Sequence, residues 1–308
     1  MSQLQSGMKK KKNAILSYAT NIKPAEFARF VVSIRRVMPA SEVDVVVFTN
    51  VTSPEVTRLA NQLDVRLVSA TSIWADVQSS TFFRILFRLV FEAIEWSDRL
   101  RPADAKRQRI HDTLTAIWTH PITARHFTYI QFLEQNPDYD LVMLSDARDV
   151  VFQADPFTGL ASGMLHAFLQ DESLTYGKHN VDTDWYRGIY GAQALTAVQG
   201  RAIACAGTVF GDVDSLLVLE RQLFAEIVRL KRGVVDQAVY NKLINDPSPG
   251  FKTQLHANLA SNVLTFGEVP DDKFRIDGNA VYVSDRKPAV LHQFDRVPAV
   301  DAMIARTI

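Results

Sequence analysis

Acidic residues in this chain fall where an apolar run breaks off. Leu141-Val142-Met143-Leu144 leads directly into Ser145-Asp146-Ala147-Arg148-Asp149, and a second apolar run, Val150-Val151-Phe152, follows. Two carboxylates there offer hard oxygen donors to Mg²⁺ or Mn²⁺, ions that complete their octahedron with water and substrate phosphates. Such an ion would neutralise charge developing on a leaving diphosphate. Side chains alternate faces along a strand, so Asp146 and Asp149 can act together only if the chain turns between them. The same spacing allows a plainer arrangement, in which the acids pair with Arg148 or cap a turn.

Further candidates lie far from this pair. His292 follows an apolar strand-like run, and a neutral imidazole suits Mn²⁺, although a lone histidine there is commonly structural. Asp236-Gln237 precedes Ala238-Val239-Tyr240-Asn241, where Asp236 has the place of a helix N-cap. Arg125 sits on a helical stretch before the acidic strand and would otherwise serve a surface ion pair. In Cys205-Ala206-Gly207-Thr208, Gly207 permits close backbone approach while the thiol reads as apolar filler.

The elements that would carry these residues follow an α/β order. Ala14 to Thr20 reads as a strand, and Pro24 to Val37 places Phe27, Phe30, Val31 and Ile34 on one helical stripe. Val43 to Thr49 is a β-branched strand, Ser53-Pro54 starts a helix to Leu63, and Val65 to Ser69 is a third strand. This alternation predicts parallel strands with helical crossovers, a Rossmann-like sheet flanked by helices, with ligands bound outside the strands' carboxyl ends. Helical patterning then covers Phe82 to Trp96, Arg99 to Ile110 and the stretch through Arg125, Tyr129 and Phe132, until Asn136-Pro137 stops it. Beyond Asp155-Pro156-Phe157 the order is mixed, with strands expected at His166 to Gln170 and Gly207 to Phe210 and helices at Asp214 to Leu230 and Asp236 to Ile244. We expect a flexible basic tail over residues 1–12 and one domain over 13–308. Its nucleotide-binding half runs to about 157, and its acceptor-side half runs from 158 to 308.

Composition narrows the partners. Lysine plus arginine equals aspartate plus glutamate at 34 each, so no global field gathers nucleic acid. The run Lys9 to Lys12 reads as a solvated tail. One cysteine, Cys205, forbids an intramolecular disulfide, which fits a reducing cytoplasm. The N-terminal apolar stretch is too short for a signal-peptide core, and no window reaches the roughly twenty apolar residues of a membrane helix. A soluble or at most peripheral protein is expected.

Leu144-Ser145-Asp146-Ala147-Arg148-Asp149-Val150-Val151-Phe152-Gln153-Ala154-Asp155-Pro156-Phe157 resembles the metal-binding segment of retaining glycosyltransferases with the GT-A fold, the group that includes glycogenin and bacterial lipopolysaccharide galactosyltransferases. Their pattern is Asp-x-Asp, an apolar run, then Asp-Pro or a similar turn. The segment is also similar to uncharacterised plant and bacterial glycosyltransferase-like proteins that carry a spaced acid pair with an intervening arginine. Aligned on Asp155, Asp149 takes the place of the second acid, the more direct metal ligand. The first acid falls on Ala147, so Asp146 serves only if one extra residue is accommodated.

The resemblance implies roles for the remaining candidates. Tyr18, Ala19 and Thr20 would contact the nucleotide base, or simply end a strand. Arg125, Arg148 and Arg296 would bind the donor, Arg296 at a phosphate unless it pairs with Asp295. Gly207 would pass beneath the donor sugar, in a segment where Cys205 replaces the family's asparagine. Asp236 would hold sugar hydroxyls and Gln237 would face the back of the anomeric carbon, while Asp146, Asp149 and His292 bind Mn²⁺ or Mg²⁺. The implied activity is hexosyl transfer from a nucleotide diphosphate sugar, with UDP favoured as the nucleotide, to a carbohydrate or glycoconjugate acceptor with retention. An inactive nucleotide-sugar-binding relative is the alternative. A sugar-phosphate nucleotidyltransferase would need a Gly-rich basic loop near the first strand, and Leu16 to Lys23 has no glycine.

Overall fold

A computed structural model describes residues 11–51, 53–70, 72, 89, 92–93, 96, 105–171, 173–178, 180–230 and 235–308. Strands β1 (Asn13–Tyr18), β2 (Val43–Thr49) and β3 (Val65–Ser69) alternate with helices α1 (Pro24–Val37) and α2 (Pro54–Gln62). Pro24 and Pro54 occupy helix starts, where a missing N–H costs nothing. Ser53 caps α2, its Oγ accepting the Val56 N–H at 3.3 Å. Helices α3 (Ala105–Trp118) and α4 (Pro121–Gln135) follow, and the chain returns as β4 (Val142–Ser145) and β5 (Val150–Phe152).

The second half supplies β6 (Leu165–Leu169), α5 (Asn180–Val198), β7 (Ala204–Gly211), α6 (Val213–Leu230), α7 (Asp236–Ile244) and β8 (Thr253–His256). After them come β9 (Val263–Thr265), β10 (Arg275–Asp277), β11 (Ala280–Tyr282), β12 (Val290–His292) and α8 (Pro298–Thr307). A seven-stranded sheet has the order β3-β2-β1-β4-β7-β6-β8, parallel except for β7, which runs against both neighbours. This mostly parallel sheet is compatible with a Rossmann-like fold. A second sheet has the order β5-β12-β9, and β10 pairs with β11.

Both faces of the large sheet are covered, so its central strands are apolar on both sides. Ile15, Val45, Val47 and Met143 pack with Phe27, Phe30 and Ile34 of α1. Ala14, Leu16, Val46 and Leu144 pack with Phe132 and Leu133 of α4 and Leu216, Leu219 and Leu223 of α6. From β1 the chain moves outward to β2 and β3, then reverses to place β4 on the other side of β1. That reversal opens a crevice at the strands' carboxyl ends.

Several expectations need correction. The helix expected at Arg99 to Ile110 is seen over Ala105–Trp118 among the described residues, and His120 starts the next one by accepting the Ile122 N–H on Nδ1 at 3.2 Å. The helix expected around Phe82 to Trp96 lies almost wholly outside the described residues. Lys12 is not a tail residue: its ammonium reaches Ala40 O and Asp44 Oδ1, each at 2.9 Å. β5 pairs with β12 and β4 with β7, so strands from before and after residue 157 join in both sheets. Asp236 does not cap α7; Val235 holds that position.

Candidate functional site

β4 delivers Asp146 to the crevice. Past Ser145 the chain bends through Ala147 to Asp149 and leaves the large sheet for the small one, resuming as β5. This is the turn that the spacing of the two acids requires. β12 runs antiparallel to β5 with His292 opposite Val150, and parallel to β9 with His292 opposite Thr265. Register therefore sets His292 beside Asp149, whose carbonyl accepts the Gln293 N–H at 2.8 Å. Gln293 has φ 57°, so the backbone turns off the strand immediately after the imidazole.

His292 Nε2 lies 3.9 Å from Asp146 Oδ2 and 3.9 Å from Asp149 Oδ2, beyond hydrogen-bonding reach of both. One donor atom from each residue falls within 4.8 Å of the others. Nε2 is buried without a hydrogen-bond partner, an arrangement that costs about 1–3 kcal/mol unless something fills it. On the other side of the ring, Nδ1 is 3.4 Å from Thr265 Oγ1 and 3.6 Å from Cys205 Sγ. Those neighbours hold the ring so that Nε2 faces the carboxylates.

β7 completes the floor. The Asp146 N–H donates to Gly207 O at 2.9 Å, and a Cβ on Gly207 would stand 2.6 Å from Asp146 Oδ2 and 2.8 Å from His292 Nε2. The missing side chain leaves a cradle bounded by two carboxylates and an orphaned imidazole nitrogen. Each of the three residues offers one ligand atom to a metal ion.

Charge in the cluster is tightly coupled. Burial alone would lower the His292 pKa, but Cys205, Asp149 and Asp146 outweigh it and push the imidazole up to about 9. Burial raises Asp149, opposed by His292 and reinforced by Asp146. Behind them Arg125 on α4 binds Asp146 Oδ1 at 3.0 Å and also Asp236 Oδ2. Burial disfavours the guanidinium charge, yet Asp236 and then Asp146 more than compensate and hold it protonated.

The first turns of α7 secure β7. Gln237 Oε1 accepts the Ala206 N–H and its Nε2 donates to Ala204 O, both at 2.9 Å. One turn on, Asn241 accepts the Ala204 N–H at 2.9 Å and donates to Ala204 O at 2.8 Å. These amides replace ladder bonds that β4, which diverges here, does not supply. Gln237 is thus engaged with backbone while still lining the cleft.

The cluster sits in a cleft of about 860 Å³. No protein-family model and no curated protein matches this chain. The site therefore has to be read from its own residues. Tyr18, Ala19 and Thr20 line the cleft from the end of β1, and Arg148 beside them donates to Thr20 O at 2.6 Å. Arg125, Asp236, Gln237, Gly207 and Arg296 line it as well. Arg296 forms no ion pair with Asp295 or any other described residue. Sequence reasoning missed His120, Gln170, Val181 and Trp185 on the wall and Thr265 behind His292. Thr265 reaches the site only through the parallel pairing of two three-residue strands, which leaves no local signal.

Proposed function

We propose that the chain is a metal-dependent glycosyltransferase of the GT-A type, moving a hexose from a nucleotide diphosphate sugar. The observation that carries this reading is the convergence of Asp146, Asp149 and His292 over a side-chain-free Gly207 at the carboxyl end of an α/β sheet. Asp149, Asp146 and His292 would hold Mn²⁺ or Mg²⁺, which when bound supplies Lewis-acid neutralisation of a diphosphate. Asp149 and His292 are the better-committed ligands, since their side chains are 25 % and 1 % exposed. Asp146 shares its charge with Arg125, which fixes the carboxylate in place for the cation.

The protein's own groups define what surrounds the diphosphate. Tyr18 to Thr20 offer a backbone edge and an aromatic ring for a base, with Tyr18 stacked near Phe48 at 6.4 Å between centroids. Arg296, without an ion pair among the described residues, is the cation left to meet phosphate oxygens. Asp236, oriented by Arg125, stands on the wall where sugar hydroxyls would be read. Retention of configuration and a UDP donor follow from the family resemblance and belong to this proposal.

Calorimetric titration of UDP, then GDP, with and without Mn²⁺, tests it. Metal-dependent binding of one nucleotide, lost in Asp149→Ala, is the expected result. Equal binding by that variant, or no nucleotide binding with metal, would overturn the assignment. Metal-dependent hydrolysis of the matching donor sugar then separates an active transferase from a pure binder.

A further inference from the structure

The ligand cluster divides the cleft into two sides. In the sheet order, β1 with Tyr18 lies to one side of β4 and β7, while β6 lies to the other. Gln170, just past β6, and Val181 and Trp185 of α5 line that second side. Trp185 is 50 % exposed and Val181 49 %, an unusual state for a large indole beside a cleft lined by acids and arginines. The two are four residues apart, so they share one helix face. Three residues beyond Trp185 the same face carries Gly188, where an added Cβ would meet no described residue within 4 Å.

The opposite face of α5 is anchored. Tyr186 is buried and its ring packs 5.1 Å from Tyr176 and 5.0 Å from Tyr190. Leu195 and Val198 join the same cluster with Ala238 of α7. Asp184 and Arg187 neutralise one another at 3.0 Å. The helix therefore holds the exposed indole on a fixed backbone, which is how recognition surfaces limit the entropy lost on binding.

Resting on the transferase reading above, we infer that Trp185 is the stacking platform for a pyranose ring of the acceptor, so that the acceptor is a saccharide rather than a protein or lipid surface. A pyranose has a face of C–H groups edged by hydroxyls. An indole offers a broad face with negative quadrupole to those C–H groups, and its N–H serves the edge. Gln170, on the same wall, supplies an amide for the hydroxyl edge. A nucleobase could stack on indole too, but Tyr18 to Thr20 occupy the other side of the cluster, which leaves Trp185 for the second substrate.

The test uses the full chain with Mg²⁺ and UDP, and saturation-transfer NMR of methyl glucosides, galactosides and mannosides and their β-1,4 disaccharides. At least one saccharide should bind saturably, with the strongest transfer to ring C–H protons of one face. Trp185→Ala and Trp185→Gln should weaken it by about tenfold, and Trp185→Phe by only about threefold. UDP affinity should be the same in all four proteins, which also reports that each variant is folded. Saccharide binding that persists unchanged in both disruptive variants overturns the platform. So does a wild type that binds UDP but no saccharide, and either result leaves the transferase reading standing. A wild type that binds saccharide through Trp185 but never binds nucleotide removes the transferase reading and keeps the platform.

Discussion

At Gly207 a single methyl group is enough to test the site. In Gly207→Ala the new Cβ enters the space between Asp146 Oδ2 and the His292 ring. The carboxylate is the end of a movable side chain, whereas the imidazole is buried, so the fold should lose about 1–3 kcal/mol. Mn²⁺ affinity should fall at least about tenfold, as when groups that place metal ligands are disturbed. Calorimetry with Mn²⁺ alone reads the second effect and denaturant unfolding the first. Protons compete for the same place. The metal-free imidazole is protonated below about pH 9 and only its neutral form can donate a lone pair, so cation uptake expels a proton. Mn²⁺ affinity should rise from pH 7 to pH 9 in wild type and lose most of that slope in His292→Ala. Arg125 gives a third residue-scale outcome. Arg125→Met strands Asp236, whose side chain is 12 % exposed, and should cost about 3 kcal/mol in chemical denaturation.

Strands β6 and β8 carry a second titratable pair remote from the acids. His166 is fully buried, and its Nε2 donates to Ala161 O at 2.8 Å. Its other ring nitrogen, Nδ1, lies 2.9 Å from His256 Nε2. Burial, then the neighbouring His166, lowers His256 to about 4. Between pH 4 and the ordinary histidine value near 6.5, the unfolded chain binds a proton that the folded chain refuses. Stability should thus decline as pH falls from 6.5 to 4, and His256→Phe, which keeps a ring over Phe168, should flatten that decline in urea titrations. Elements of this kind were only partly legible. The stripe Phe27, Phe30, Val31, Ile34 marks α1, Ser53-Pro54 marks the start of α2, and α7 begins at Asp236 as the sequence suggests. β5, β9 and β12 have three residues each, too few for any period to show. α5 is interrupted at Gly191, with φ 84°, and this hid the helix that presents Trp185. Asp146, Asp149 and His292 were readable as a group only through a family pattern. The bend that lets both acids face one ion is a tertiary event, set where β4 diverges from β7 and β5 joins β12.

Across the whole molecule the chain is organised around the β1/β4 reversal, with the small sheet seated over it. Among the described residues no helix is long and apolar enough to cross a membrane. The core is shared: Phe152, Val263 and Val290 of the small sheet belong to the same apolar cluster as Ile15 and Phe30. On its far side Val151, Leu264 and Leu291 pack against Val300, Met303 and Ile304 of α8. Any cation held only by the folded chain adds to global stability by mass action, about 2.7 kcal/mol when free ion exceeds its dissociation constant a hundredfold. Thermal unfolding of wild type should move upward with Mn²⁺, and that of Asp149→Ala should not. The bend from Ala147 to Asp149 gives this linkage a direction. Asp146 stands at the carboxyl end of β4 in one sheet and His292 on β12 of the other, so an ion held between them would act as a rivet through a lap joint, and sliding one plate over the other would shear its bonds. Amide hydrogen exchange in β5 and β12 should then slow far more on adding Mn²⁺ than exchange in β2, and the joint's stiffness would rise and fall with ion occupancy.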